Sequence, residues 1–249
     1  MLVQQGEERG NDVDRRLACT LAAVAGALNA AAFEAVGFFS ANMTGNISSL
    51  SGHIAVGELL TGGFFLAIVA AFIAGSVVST LLINFGRRRG IHGIYAYSIL
   101  AEAILLALLG CADLWLAAVH RGPVLILGLS FLMGLQNAIV TRISGARVRT
   151  THVSGMATDI GIELGMLIDI ARGREPEEGA APYWAKLRLH GMSIISFLVG
   201  GVIGVLVYQA IGGLLLMFTS LLLLVIAITG IRRARDLRLR PVLRTEGVD

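Results

Sequence analysis

Two asparagines stand inside apolar runs, Asn29 in Gly26-Ala-Leu-Asn29 and Asn137 in Gly134-Leu-Gln-Asn137. A buried amide must find partners, in a neighbouring helix or in a ligand. Five residues beyond each asparagine a charge interrupts the run, Glu34 in one case and Arg142 in the other. Thr44-Gly45 follows Asn29 by fifteen residues, and Ser154-Gly155 follows Asn137 by seventeen. These pairs lie in two polar segments, Asn42-Met-Thr-Gly-Asn46 and Thr150-Thr-His-Val-Ser-Gly155. Each precedes a helical stretch, 47–60 and 156–171, for which Thr44 or Asn42 and Ser154 or Thr151 are good N-caps. If the segments fold back into the protein, free N–H groups at two helix starts face a central cavity. That arrangement suits an anion or the negative end of a polar solute. The candidate substrate-binding set is therefore Asn29, Asn42, Thr44, Gly45, Asn46, Asn137, Arg142, Thr151, Ser154 and Gly155, with Arg142 offering charge complementarity. The plainer reading is two capped surface helices, with the asparagines bonding one span to another.

A second group could carry protons: Glu34, His53, Glu102, Asp159 and Glu163. Asp159 and Glu163 are four apart and share a helix face, and the matching positions upstream are Ser49 and His53. Glu102 interrupts the run Ile99-Leu-Ala-Glu-Ala-Ile-Leu-Leu. A carboxylate there costs about 2.5–3.5 kcal/mol on insertion scales unless it is paired or protonated. A solvated helix face is the ordinary explanation of Asp159 and Glu163. A structural hydrogen bond would explain Glu102 equally well.

Soluble-enzyme motifs are missing: no phosphate-binding loop, no dinucleotide fingerprint, no zinc-protease helix. His152 and Ser154 are two apart, on different faces of a helix, and no complete nucleophile–base–oxyanion set accompanies them. The chain is expected not to be an enzyme and to need no cofactor or metal. Cys19 and Cys111 lie in separate apolar runs and read as small lipid- or helix-facing residues.

The elements that must position these residues are set by composition. The chain is 55% hydrophobic and 15% charged, with a mean hydropathy of +0.77. A soluble domain has about a quarter of its residues charged. Six apolar segments approach the ~20 residues a membrane helix needs: Leu17–Phe39, Leu59–Phe85, Ile91–Val119, Val124–Val140, His190–Ala210 and Ile211–Ile231. No alternating ten-residue segments suggest a barrel. Arg15 and Arg16, Arg87–Arg89, the 142–188 stretch and the cluster from Arg232 through Arg238 and Arg240 all fall in connections of one parity, and only Arg121 falls in the other. The positive-inside rule makes both termini cytoplasmic. The pI near 9.2 then needs no nucleic acid to explain it. The polar first sixteen residues and the long first run argue against a cleavable signal peptide.

Phe72-Ile-Ala-Gly75 is matched by Phe197-Leu-Val-Gly200, so three motifs recur in order, with three spans in each half. An odd-numbered repeat must enter the bilayer in the opposite sense the second time. The fold class is therefore all-α, six transmembrane helices as two inverted three-helix repeats. The divisions are a tail at 1–14, repeats at 15–120 and 123–232, a cytoplasmic insertion at 172–188 in the second repeat, and a basic tail at 233–249. Gly75 with Ser79, and Gly200 with Gly204, are small residues at helix-packing spacing.

The motifs Asn42-Met-Thr-Gly-Asn46, Gly134-Leu-Gln-Asn-Ala138 and Arg149-Thr-Thr-His-Val-Ser-Gly-Met-Ala-Thr-Asp159 resemble the YoaK-type family of six-span bacterial inner-membrane proteins. The likeness covers about 20 to 230, with Ser154 where the family would have Thr. It implies a polytopic protein of a bacterial plasma membrane and lends no reaction or substrate. The functional expectation rests on the repeat: a transporter or channel for a small polar or anionic solute. The alternatives are a non-transporting sensor or accessory subunit and, further off, an intramembrane enzyme. The expected partners are the lipid bilayer and the solute, with no nucleic acid. A homo-oligomer is left open.

Overall fold

The computed structural model describes Leu2 and residues 10–245, with no account of the Asn11 side chain or of side chains from 237 onward. The side chains of Arg238 and Arg240, and tail residues 1, 3–9 and 246–249, lie outside the described residues. The described chain is all-helical: α1 (Asn11–Val36), α2 (Met43–Ala55), α3 (Leu59–Arg88), α4 (Ile94–Trp115), α5 (Ala118–Ser144), α6 (Val153–Ala171), α7 (Ala180–Ile211) and α8 (Leu214–Thr245), with a 3-10 turn at Glu177–Gly179. Six of them, α1, α3, α4, α5, α7 and α8, are long and apolar enough to cross a membrane. Helix is the only way for such a chain to satisfy its own backbone in lipid without closing a barrel. Leu66, Ile73, Val77 and Leu81 on α3, and Ile195, Leu198, Val202 and Leu206 on α7, are exposed. So wide an apolar surface is a liability in water and ordinary against lipid. The molecule is an integral membrane protein.

Packing is crosswise between the halves. α1 lies against α7, α3 against α5, and α4 against α8, while α2 leans on α3 and α6 on α7. The recurring motifs make these contacts. A Cβ on Gly26 would strike the Phe197 carbonyl, and one on Gly134 the Phe72 carbonyl. Reciprocally, a Cβ on Gly75 would strike the Phe131 carbonyl, and one on Gly200 the Ala23 carbonyl. In lipid no hydrophobic force holds helix to helix, so backbones this close gain their attraction from packing, which only a hydrogen side chain permits here. The Ser76 hydroxyl adds a hydrogen bond to the Gly134 carbonyl (3.0 Å) across α3 and α5.

Several boundaries differ from the sequence expectation. The fourth span starts at Ala118, not Val124, so Arg121 is helical. Pro123 sits near the helix start and forfeits one N–H bond there, which a membrane helix tolerates. Arg121 is bonded to Asp113 of α4 and, at 3.0 Å, to the Tyr208 hydroxyl of α7, tying three helix ends. The 172–188 insertion is not a loop throughout: α7 begins at Ala180, with Pro182 harmless in its first turn. α1 begins at Asn11, α8 runs to Thr245, and Leu2 is buried near Gly230 of α8.

Candidate functional site

Each of α1 and α5 ends on a left-handed glycine, Gly37 (φ 75°) and Gly145 (φ 61°), and the chain then turns inward. Ser40 and Thr150, just before the two short helices, are fully buried. The next residues are held by the mid-span asparagines. The Ala41 N–H donates to Asn29 Oδ1 (2.8 Å), and the Thr151 hydroxyl donates to Asn137 Oδ1 (2.9 Å). Asn29 and Asn137 precede the last residues of their helices, Val36 and Ser144, by seven each. At 1.5 Å per residue the returning chain therefore penetrates about 10 Å inward of the helix end. From that depth α2 and α6 start. Asn42 caps α2 by accepting from the Gly45 N–H (3.1 Å). The second cap is neither Ser154 nor Thr151: His152 holds that position without a side-chain bond to the helix. Thr151 is spent on Asn137, and the His152 Nδ1 faces the Arg149 guanidinium at 2.8 Å.

The two helix starts open into one cavity of about 790 Å³. Of the expected binding residues it gathers Asn29, Asn42, Thr44, Gly45, Asn137, Thr151 and Ser154. Three are not among its lining residues. Arg142 instead donates to Asn84 Oδ1 of α3 (2.8 Å). Asn46 is buried, its amide directed at the Phe39 carbonyl at 3.5 Å. Gly155 lies behind His152, where a Cβ would collide with the imidazole. Gly45 is similar, since a Cβ there would strike the Asn42 cap amide. At both positions the bare α-carbon makes room for the side chain three residues before it, Asn42 or His152.

Nor do the two asparagines bond to each other; each anchors the re-entrant segment of its own half. They differ in what remains. Asn137 also donates its Nδ2 to the Met133 carbonyl (2.7 Å), so both ends of the amide are used. Asn29 is 8% exposed, its Oδ1 is fixed by Ala41, and its NH2 group has no protein partner among the described residues. That amide and the first free N–H groups of α2 and α6 make the cavity rich in donors. Among the described residues no Asp or Glu lines it, and Arg149 is its fixed cation. Arg149, His152, Phe39, Phe72 and Phe197 line the cavity and were not expected there. The signal was legible for the last two, since each heads a Phe-x-x-Gly motif whose glycine sits on the partner helix.

The acids lie elsewhere. Glu34 accepts from Gln209 of α7 (3.0 Å), and His53 pairs with Glu58 (2.7 Å) and stacks on Phe65. His53 therefore does not join Asp159 and Glu163, as pseudo-symmetry would suggest. Glu102 is fully buried between α4 and α5, accepting from Gln136 Nε2 (3.1 Å). Asp159 and Glu163 line a second cavity of about 820 Å³ between the start of α1, α6 and the start of α7. Glu163 is buried and its Oε1 meets the His190 Nδ1 at 3.0 Å. Burial raises the carboxyl above its ordinary range, and the facing imidazole pulls it part of the way back. Arg149 borders both cavities. No group of three or more potential metal ligands occurs among the described residues.

Fold and surface together define a six-helix integral membrane protein with two short helices directed inward. Within that class, the family described as "Protein of unknown function (DUF1275)" matches residues 17–229, and the chain belongs to it. No curated protein and no solved structure matches the chain.

Proposed function

We propose that the protein is a transporter or channel for a small anionic solute, bound in the cavity between the starts of α2 and α6. The observation that carries this is the composition of the cavity wall: the free NH2 of Asn29, two helix starts and Arg149, with no carboxylate among the described residues. Helix N-termini and a guanidinium both favour negative charge, and a cavity lacking acids offers a cation nothing. Re-entrant helix starts meeting inside a bundle are the arrangement by which many carriers hold solutes.

The crosswise helix pairing and the matched glycine contacts support two inverted three-span repeats. The basic connections support cytoplasmic termini in a bacterial plasma membrane. The cavity at Glu163 then opens toward the cytoplasm, and the Glu163–His190 pair is the group we assign to proton coupling. A sensor or accessory subunit has less need of an open, donor-lined cavity. A hydrolase would use His152 as a base toward Ser154, whereas its Nδ1 faces Arg149.

The test uses purified protein and permanently charged probes. A ligand that binds only the folded state raises the melting temperature. Methanesulfonate should stabilise the protein and the uncharged methanesulfonamide should not, with Arg149→Ala weakening the sulfonate effect by about tenfold or more in midpoint, the scale of a charge-assisted contact. Proteoliposomes should admit the sulfonate, which crosses bare lipid poorly. Equal responses to sulfonate and sulfonamide would remove the anion reading, and binding without flux would favour the sensor.

A further inference from the structure

The cavity has a second chemistry besides its donors. Phe72 of α3 and Phe197 of α7 both line it, one from each half. Their backbones are pinned by Gly134 and Gly26, and each glycine lies one helical turn before the asparagine of its span. The tight crossing thus fixes a phenyl beside each mid-span amide. Ordinary helix packing would account for a phenylalanine at a crossing. It does not account for two, at matching positions, half-buried and bordering open space in place of closing it.

The ends of the cavity also differ. Relative to the short helices, Phe39 in the first half stands where Arg149 stands in the second, three residues before the cap residues Asn42 and His152. Both line the cavity. Phe39 stacks on Phe33 with ring centroids 4.4 Å apart, so a fixed phenyl stands beside Asn42, Thr44 and Ser48 at the α2 start. The other end carries the guanidinium and the Ser154 hydroxyl. A bare inorganic anion would leave the phenyl faces against water. A solute with one anionic group and an apolar, ring-sized body would fill both ends, and about 790 Å³ is ample for it.

We propose that the solute is an amphipathic organic anion, its acidic group toward Arg149 and its apolar body against Phe72, Phe197 and Phe39. This rests on the anion-site reading above and narrows it to a substrate class.

The experiment compares thermal stabilisation of the full-length protein by sodium chloride, methanesulfonate, benzenesulfonate and uncharged benzenesulfonamide. Benzenesulfonate should reach half-effect at a concentration at least about tenfold below methanesulfonate, the benefit of about 1.4 kcal/mol that a tenfold ratio represents. In Phe72→Ala and in Phe197→Ala that ratio should fall below about threefold, because an apolar body gains affinity only from the surfaces it covers. If either variant fails to fold, Phe72→Leu and Phe197→Leu keep the bulk, remove the ring face and should lower the ratio less. Equal midpoints for both sulfonates in the wild type would overturn the amphipathic class while leaving the anion site standing. So would a ratio that all four variants retain. Stabilisation by benzenesulfonamide equal to that by benzenesulfonate would overturn the charge requirement. No response to any of the anions would remove the anion site itself.

Discussion

The two halves of the molecule share a frame and differ in what they hang on it. In the first half Asn29 ties down a backbone N–H, Asn42 caps the short helix, and Phe39 flanks the cavity. In the second half Asn137 ties down a hydroxyl, His152 sits at the cap, and Arg149 flanks the cavity. Outside the cavity the exchanges continue. Glu34 bonded to Gln209 on α7 is answered by Arg142 bonded to Asn84 on α3. His53 beside Phe65 is answered by Glu163 beside His190. Glycine contacts and segment turns are kept; charges and donors are exchanged. The matched glycine contacts and turns shape the space, and the exchanged side chains put Phe39 at one helix start and Arg149 at the other.

The shared frame predicts the largest effect. Gly26→Val and Gly134→Val each push side-chain atoms into a backbone carbonyl of the partner helix, Phe197 or Phe72. A carbonyl on a helix cannot move aside without separating the helices. Each variant should lose about 3 kcal/mol or more, at the severe end of overpacking, and show a collapsed melting temperature in detergent. The two losses should be alike. A tolerated change at one glycine and a severe one at the other would break the comparison between halves.

The asparagines should separate the halves by a smaller margin. Asn29→Ala leaves the Ala41 N–H, fixed in the backbone, without its partner. Asn137→Ala frees the Thr151 hydroxyl, which can rotate toward another acceptor. Orphaning a buried donor costs about 1–3 kcal/mol, and a rotatable hydroxyl escapes part of it. Asn29→Ala should therefore lower stability more than Asn137→Ala. It should also weaken anion binding more, because Asn29, unlike Asn137, keeps a free NH2 at the cavity. Thermal midpoints with and without methanesulfonate read both effects, and the reverse order at either would reject the assigned roles.

Much of this was written plainly in the chain. Six long apolar runs gave the spans, since no other signal produces them. The Gly-x-x-Asn, Phe-x-x-Gly and Thr-Gly/Ser-Gly motifs marked the segments that meet. What the motifs could not reveal was pairing across the halves. Arg142 looked like the cavity's cation because it follows Asn137 by five residues, yet that step carries it round α5 to face Asn84. Arg149 supplies the charge instead, and it was hidden in a segment with no periodicity to read. Gly45 and Gly155 read alike in the sequence; only the folded turn brings the residue three before each, Asn42 or His152, over the α-carbon and leaves Gly45 on the cavity and Gly155 behind the imidazole.

The smallest effect concerns the charge exchanged at the second cavity. Glu163 is buried against His190, with Asp159 on its own helix, Lys186 and Arg188 on α7, Arg147 and Arg149 from the preceding segment, and Asp12, Asp14 and Arg15 from α1 around the same space. Burial raises the carboxyl's pKa in the folded protein, with Asp159 adding to the rise, and His190 and Lys186 oppose it. A group whose folded pKa lies above its unfolded value adds stability below the unfolded value, and that contribution disappears as pH rises through the folded one. For Glu163 the loss therefore begins near the ordinary glutamate value and extends upward from it. Glu163→Gln removes the titration and leaves an amide that His190 can still bond. The melting temperature of wild type minus that of Glu163→Gln should thus fall as pH rises from about 4 toward neutrality. A difference curve for Glu163 that is flat or rises across that range would mean the carboxylate is stabilised where it lies, and the second cavity would lose its assigned part in proton coupling.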